Sequence, residues 1–522
     1  MRRPVIAVAL LAAGLLTAPL ARAGSPHWVG SPAADCRARV AGLDLQTATF
    51  GDLQSALQAG RLSSVKLVRT YLDRIRHLDA RTNSLRDLSP TAVRDAARLD
   101  AERRGGQVRG PLHGIPVLLK DNIGTADQPT TAGSIALEGL RPYVDAGLVA
   151  RLRAAGAIVL GKTNLSEFAN WVDLSMPNGY SSLGGQVKNA YTFGDPSGSS
   201  SGSGVATSMA FAAAAFGSET SGSILSPSDV NGLVGVKPTR GLVSRDGIIP
   251  LAEGFDTAGP MARNVRDAAA LLTVVAGTDP ADPATATADT HRTDYTKGLA
   301  GASLAGVRLG YSTSVETGLG GPARKVYDAA LADLRRLGAV LVATDALDNT
   351  GNLGLAEIGL IPNDFKGNLD HYLATYAPTP RSGVKTLADI AVFNNAHPNK
   401  VKYGQNLILA SVAQPGSREL ASATSLGLRT AQGANIDEGL AKDTLDAFIA
   451  PGAAYANIGA SAGYPTVIVP SGLVSDTNPQ GLSIMGTAWS EARLLRYAAA
   501  YEAGTRRRIP PTVVNAAVLT PC

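Results

Sequence analysis

Apolar residues near the start of the chain recur at helical spacing, then give way to short unbroken runs. In DLQSALQAGRLSSVKLVRTYLDRIRHLD, from Asp52, two helices are predicted; the second carries Val65, Val68, Leu72 and Ile75 on one face, with Ser64 as N-cap. Ser89-Pro90 opens a third helix through Val93, Ala97 and Ala101. GIPVLL, from Gly114, reads as a buried strand, and AGAIVLGKT, from Ala155, repeats the passage from helix to strand. ARKVYDAALADLRRLGAVLVATD is a helix, a glycine stop and a strand. LDAFIAPG, YPTVIVPSG and GLSIMG add strands, and a helix follows from Ser490 to about Ala503. This alternation predicts an α/β layered sheet with helices on both faces. The Pro/Ala/Thr/Asp-rich stretch Gly277 to Arg292 reads as a surface connection, and about 353–442, mostly helical, as an insertion over the core. No internal repeat at a fixed period is visible.

The first residues break this pattern. MRRPVIAVALLAAGLLTAPLARA has a basic start, an apolar run from Val5 to Leu16 and an Ala-x-Ala ending at Ala23, which predicts a signal peptide cleaved after Ala23. The run is short for a membrane span, no later stretch is long and apolar enough, and no cysteine stands ready for a lipid, so no stable membrane association is expected. Residues 24–522 then form the mature domain, secreted or periplasmic, and Arg2-Arg3 leaves a twin-arginine route open. Cleavage removes Arg2, Arg3 and Arg22 and lowers the formal charge of +5 by three, so little speaks for a nucleic-acid partner. Hydrophobic content of 45% against 17% charged describes an ordinary globular chain. Two cysteines remain, Cys36 and Cys522; in an exported protein such a pair is more often a disulfide than two free thiols.

The chemistry must come from serines, because histidines are few. Three readings compete. Gly198-Ser199-Ser200-Ser201-Gly202 fits the G-x-S-x-G elbow, with Ser200 as nucleophile, but YTFGDPSG before it is turn-rich where an elbow needs a strand. Ser63-Ser64-Val65-Lys66 fits S-x-x-K, yet Ser63 precedes an amphipathic helix, where capping explains it. The third reading joins Lys120, at the end of the apolar Val117-Leu118-Leu119, with two Gly/Ser loops around Ser199 and Ser223. A lysine after three aliphatics is most often a snorkelling edge residue. Taken together, these elements supply a base, a relay hydroxyl and a nucleophile without histidine. Asp121 would oppose a lowered Lys120 pKa, but alternate strand side chains point to opposite faces. Lys162 is read as a packing residue and His113 as a hydrogen-bonded core residue. No HExxH, Cys/His cluster or phosphate loop appears, so no metal and no cofactor are expected.

At these residues the chain resembles the amidase signature enzymes, from about Phe50 to about Arg506. The motifs are GPLHGIPVLLKDNI, GKTNLSEFAN, SGSSSGSG, SETSGS, GLVGVKPTRGLVSRDGIIP and DTAGPMARNVRDAA. The resemblance implies a large mixed twisted sheet in a single compact domain, and a Ser–cis-Ser–Lys triad with Lys120 as base, Ser199 as bridge and Ser223 as nucleophile. It implies an oxyanion hole from the N–H groups of Thr220, Ser221, Gly222 and Ser223, with Ser200 in support; Glu167 and Asn170 are candidates to line the substrate pocket. GKTNLSEFAN, LVSRDGIIP and MGTAWSEARLLRYAAAYE look most like bacterial peptide amidases, which implies C-terminal peptide amides as substrates; a monomer is expected. The alternatives are an amidase of small aliphatic or aryl amides, an amidotransferase subunit, which an export signal argues against, and a non-catalytic relative. Two departures touch the nucleophile loop: Ser221 stands where a glycine is common, and Leu225 where an arginine often pairs with the acid at Glu219.

Overall fold

The structure is a computed structural model that describes residues 38–348, 351–376 and 380–520. The expected signal segment and both cysteines lie outside the described residues.

Eleven strands form one mixed sheet: β1 Leu85–Leu88, β2 Pro116–Lys120, β3 Ile158–Thr163, β4 Ala214–Glu219, β5 Val234–Lys237, β6 Thr257–Ala262, β7 Arg308–Tyr311, β8 Val340–Ala343, β9 Ala447–Pro451, β10 Thr466–Val474 and β11 Asn478–Met485. Their order across the sheet is β8-β7-β9-β11-β10-β5-β6-β4-β2-β3-β1. Strands β4, β2 and β3 run parallel, and so do β9, β7 and β8, while the pairs between these groups are antiparallel. Every residue of β2, β3, β4, β6 and β9 is buried, so both faces of the central sheet are covered. That is why these strands read as unbroken apolar runs rather than as alternating ones.

Two helices, Phe50–Gln58 and Ser64–Thr82, precede the first strand of this sheet. The first starts at a capping box, with Thr49 accepting the Asp52 N–H and the Asp52 carboxylate accepting the Thr49 N–H. The second is capped by Ser63, whose hydroxyl accepts the Lys66 N–H at 3.1 Å, not by Ser64. Ser64 is already helical, and its N–H is taken by Asp100 at 2.7 Å. Ser63→Ala is therefore expected to lower stability by about 1 kcal/mol in a denaturant titration, and Ser64→Ala, which removes no cap, by less. The third helix, Ala92–Arg104, buries Ala92, Ala96 and Leu99 and leaves Ala97 and Ala101 exposed, one position away from the predicted face. An alanine-rich helix carries too little apolar contrast to mark its inner side.

Between 351 and 442 lie four helices, Gly351–Tyr376, Leu387–Ala396, Asn406–Val412 and Arg418–Lys442. Phe365, Leu369, Leu387 and Ile408 from them build a second apolar cluster with Phe168, Trp171, Leu251 and Phe255. The stretch 277–292 is more than a surface connection: Asp282 is buried and paired with Arg245 at 2.5 Å. No helix among the described residues is long and apolar enough to cross a membrane.

Candidate active site

Strand pairing delivers the lysine. Val117, Leu118 and Leu119 of β2 lie in register with Ala214, Ala215 and Phe216 of β4, which brings the ends of both strands together. Lys120 is fully buried, and its Nζ donates to Ser199 Oγ at 2.7 Å, Ser218 Oγ at 2.9 Å and Ser218 O at 3.2 Å. Asn122 Nδ2 also donates to Ser218 Oγ, at 2.9 Å. Both lone pairs of that hydroxyl are thus used by donors, and the Ser218 carbonyl can only accept. In a neutral amine these two acceptors take the two N–H bonds, which leaves the lone pair for the Ser199 hydroxyl. Burial pushes the Lys120 pKa down to about 7, against the opposing pull of the Asp256 and Glu219 carboxylates. Asp121 lies on the other side of the strand end, where it accepts the Thr131 hydroxyl at 2.5 Å and faces Lys162.

The Gly198–Ser199 peptide bond is cis, and Ser199 is fully buried. Ser200 braces the site: its Oγ donates to Ser218 O at 3.1 Å and accepts the Ser218 N–H at 3.3 Å, and its own N–H donates to Ser223 O at 3.2 Å. A Cβ on Gly217 would lie 2.7 Å from Ser200 Oγ, so only glycine lets that serine press on β4. No strand leads directly into Ser200, which removes the structural support for an elbow. Ser201 and Ser203 spend their hydroxyls on the carbonyls of Ser197 and Phe216. Ser223 differs. It is 7% exposed, and its Oγ hydrogen-bonds to nothing among the described residues.

The loop that carries Ser223 is held by its own acid. Glu219 accepts the N–H groups of Ile224 at 2.7 Å and Leu225 at 2.9 Å, and burial raises its pKa. The Leu225 side chain, where a basic residue could have paired with that acid, packs on Ala456 and Ile468. Gly222 takes the left-handed turn (φ +78°), which leaves Ser221 at an ordinary φ, its hydroxyl donating to Asn457 Oδ1 at 2.7 Å. The Thr220 hydroxyl donates to Asp256 Oδ1 at 2.5 Å, while Asp256 Oδ2 accepts the N–H groups of Leu251 and Ala252. The N–H groups of Thr220, Ser221 and Ser223 donate to no other atom of the described residues.

Beside this loop lies a cavity of about 420 Å³ with Ser218 and Thr220 on its wall. Phe168 and Ala169 border it, and the helices of 351–442 contribute Tyr372 and Arg429. Glu167 is buried and accepts the Ser182 N–H at 2.7 Å, and Asn170 donates to Asn178 at 2.8 Å. The backbone around them takes a left-handed turn, with Phe168, Ala169 and Asn170 at φ 45°, 57° and 72°. Such residues cost roughly 1–2 kcal/mol each, offset in part by Phe168, which packs edge-on against Phe365 with ring centroids 5.6 Å apart. Lys162 is buried, donating to Ile123 O and Thr130 Oγ1, and His113 Nε2 bonds to Leu99 O at 3.0 Å. Ser218, Asn122 and Asp256 escaped the sequence reading. Asn122 sits in the turn that ends the strand, closed by the Ile123 N–H on the Lys120 carbonyl at 2.9 Å, where no strand alternation could have marked it.

The chain matches the family described as Amidase over residues 66–495. It is 37% identical over 484 residues to a probable amidase of Arabidopsis thaliana, covering 90% of this chain and 92% of that one. Among solved structures it is similar to the native peptide amidase from Stenotrophomonas maltophilia, at 45% identity and TM-score 0.83, covering 89% of this chain and 98% of that one. It is also similar to the peptide amidase PAM in complex with the competitive inhibitor chymostatin, at 44% identity and TM-score 0.82, with 89% and 99% covered. The chain belongs to the amidase signature family, and it is an amidase.

Proposed function

We propose that this amidase hydrolyses the C-terminal carboxamides of peptides through an acyl-enzyme on Ser223. The observation that carries the mechanism is the 2.7 Å contact between a buried lysine, held near neutrality in its pKa, and the Ser199 hydroxyl. Neutral Lys120 takes the Ser199 proton as Ser199 takes the Ser223 proton, and Ser223 Oγ adds to the amide carbonyl. The uncommitted N–H groups of Thr220, Ser221 and Ser223 receive the oxyanion, with Gly222 as the pivot that aims them. The relay reverses to protonate the leaving nitrogen, ammonia departs, and water attacks the ester by the same base path. Ser200 and Ser218 hold the relay in place, and Glu167 and Asn170 shape the turn that presents Phe168 and Ala169.

Likeness to peptide amidases over almost the whole domain, one of them with chymostatin bound, supports a peptide in the acyl position. The export signal read in residues 1–23 of the sequence supports an enzyme that works outside the cytoplasm. A free carboxylate is a poor substrate for such a site, because its negative charge sits where the oxyanion must develop. The test compares an amidated tripeptide with its free-acid twin. Ammonia is expected from the amide alone; equal consumption of both, with internal peptide bonds cut, would mean a general peptidase and overturn the reading.

A further inference from the structure

The cavity beside Thr220 holds charges that the triad does not use. Its carboxylates are all satisfied. Asp282 forms a two-point pair with Arg245, at 2.5 and 2.9 Å. Glu253 meets Arg418 at 3.1 Å, at a half-exposed rim. Asp246 accepts the Tyr376 hydroxyl at 2.5 Å, and Asp256 is held by Thr220 and two backbone N–H groups.

Two arginines on the same wall are not. Arg240 donates Nε and Nη2 to the Glu253 carbonyl, at 3.1 and 3.0 Å, and Arg429 donates Nη1 to the Gly254 carbonyl at 2.5 Å and to Ser425 Oγ at 3.1 Å. Neither pairs with a carboxylate among the described residues, and Arg240 Nη1 and Arg429 Nη2 donate to nothing there. Burial, then repulsion from Arg245 and Arg429, pulls the Arg240 pKa down to about 9, with Asp282 and Glu253 opposing. Burial and Arg245 act the same way on Arg429, with Asp364 opposing. A guanidinium stays charged in proteins, and each of these two borders the cavity with no carboxylate of its own within ion-pair distance among the described residues. Charges withdrawn from water are ordinarily matched by an anion. Here two spare guanidinium edges border one cavity that reaches the candidate oxyanion loop.

We propose that Arg240 and Arg429 form an anion subsite for the acyl part of the substrate, so that peptide amides with an acidic side chain next to the scissile carboxamide are preferred. This rests on the amide-hydrolysis reading above. A side-chain carboxylate satisfies the subsite while the reacting carboxamide stays uncharged, and the planar fork of arginine suits it.

The experiment measures kcat/KM for ammonia release from four amidated tripeptides, with Glu or its neutral isostere Gln either at the amide-bearing residue or one before it. At one position wild type is expected to favour Glu over Gln by about 10-fold to 100-fold, the worth of hydrogen bonds to a charged group. Arg240→Gln and Arg429→Gln are each expected to bring that ratio towards one, and Arg429→Lys to retain part of it. A wild-type ratio at or below one in both positions overturns the subsite while amide hydrolysis stands. Variants that keep the full ratio overturn the assignment to these two residues. Absence of ammonia from all four peptides overturns the underlying reading instead.

Discussion

Ser223→Ala is expected to lower amide turnover by about 10⁶-fold, the scale seen when a serine nucleophile is removed, and to abolish labelling by a serine-directed fluorophosphonate. The protein should keep its fold. Ser223 Oγ bonds to no described residue, and the link from Ser200 N–H runs to its backbone carbonyl, which alanine retains. Ser200→Ala makes the contrast. It removes two buried contacts to Ser218, so a stability loss of about 1–3 kcal/mol is expected, with reduced activity but an adduct still formed on Ser223. Mass spectrometry of the trapped protein reads the position directly. An adduct on Ser200, with Ser223→Ala still active, would return the nucleophile to the elbow and discard the triad proposed here.

Lys120→Arg carries the second largest effect, a fall of about 10²- to 10⁴-fold, the share of a general base. Arginine keeps the positive charge and cannot release its proton at usable pH, so the relay has no acceptor. The sign of the pH dependence follows from the lowered pKa. Burial brings Lys120 from 10.5 to about 7, so the neutral, competent form fills as pH rises through about 7. Wild-type kcat/KM for an uncharged amide is expected to climb tenfold per pH unit below that point and to level above it. The arginine variant should stay flat and low throughout. A wild-type profile that is level from pH 5 to 9 would mean that no group of this kind controls the reaction. Ser199→Ala cuts the path between Ser223 and a lysine that still titrates, and should likewise lose most activity.

Local chemistry made several parts of this protein legible in its sequence. The run Pro116–Lys120 announced a buried strand because both sheet faces are covered, and its terminal lysine, read together with the two Gly/Ser loops, announced a candidate base whose pKa burial lowers. The Gly/Ser loops and their spacing identified the family. Ser63 against Ser64, or the inner side of Ala92–Arg104, turned on differences of one residue that weak apolar contrast cannot resolve. Tertiary structure decided what local patterns do not encode. Lys120 meets Ser199 and Ser218 from 79 and 98 residues away, through a parallel register set by the whole sheet. At Phe168 a ring from a distant helix, Phe365, offers burial that offsets part of the cost of the left-handed turn, a contact no local pattern encodes. Asp282 left the surface because Arg245 required a partner inside. Propensity acts over a few neighbouring residues, whereas strand register, burial and the pairing of charges are settled by contacts between segments far apart in the chain.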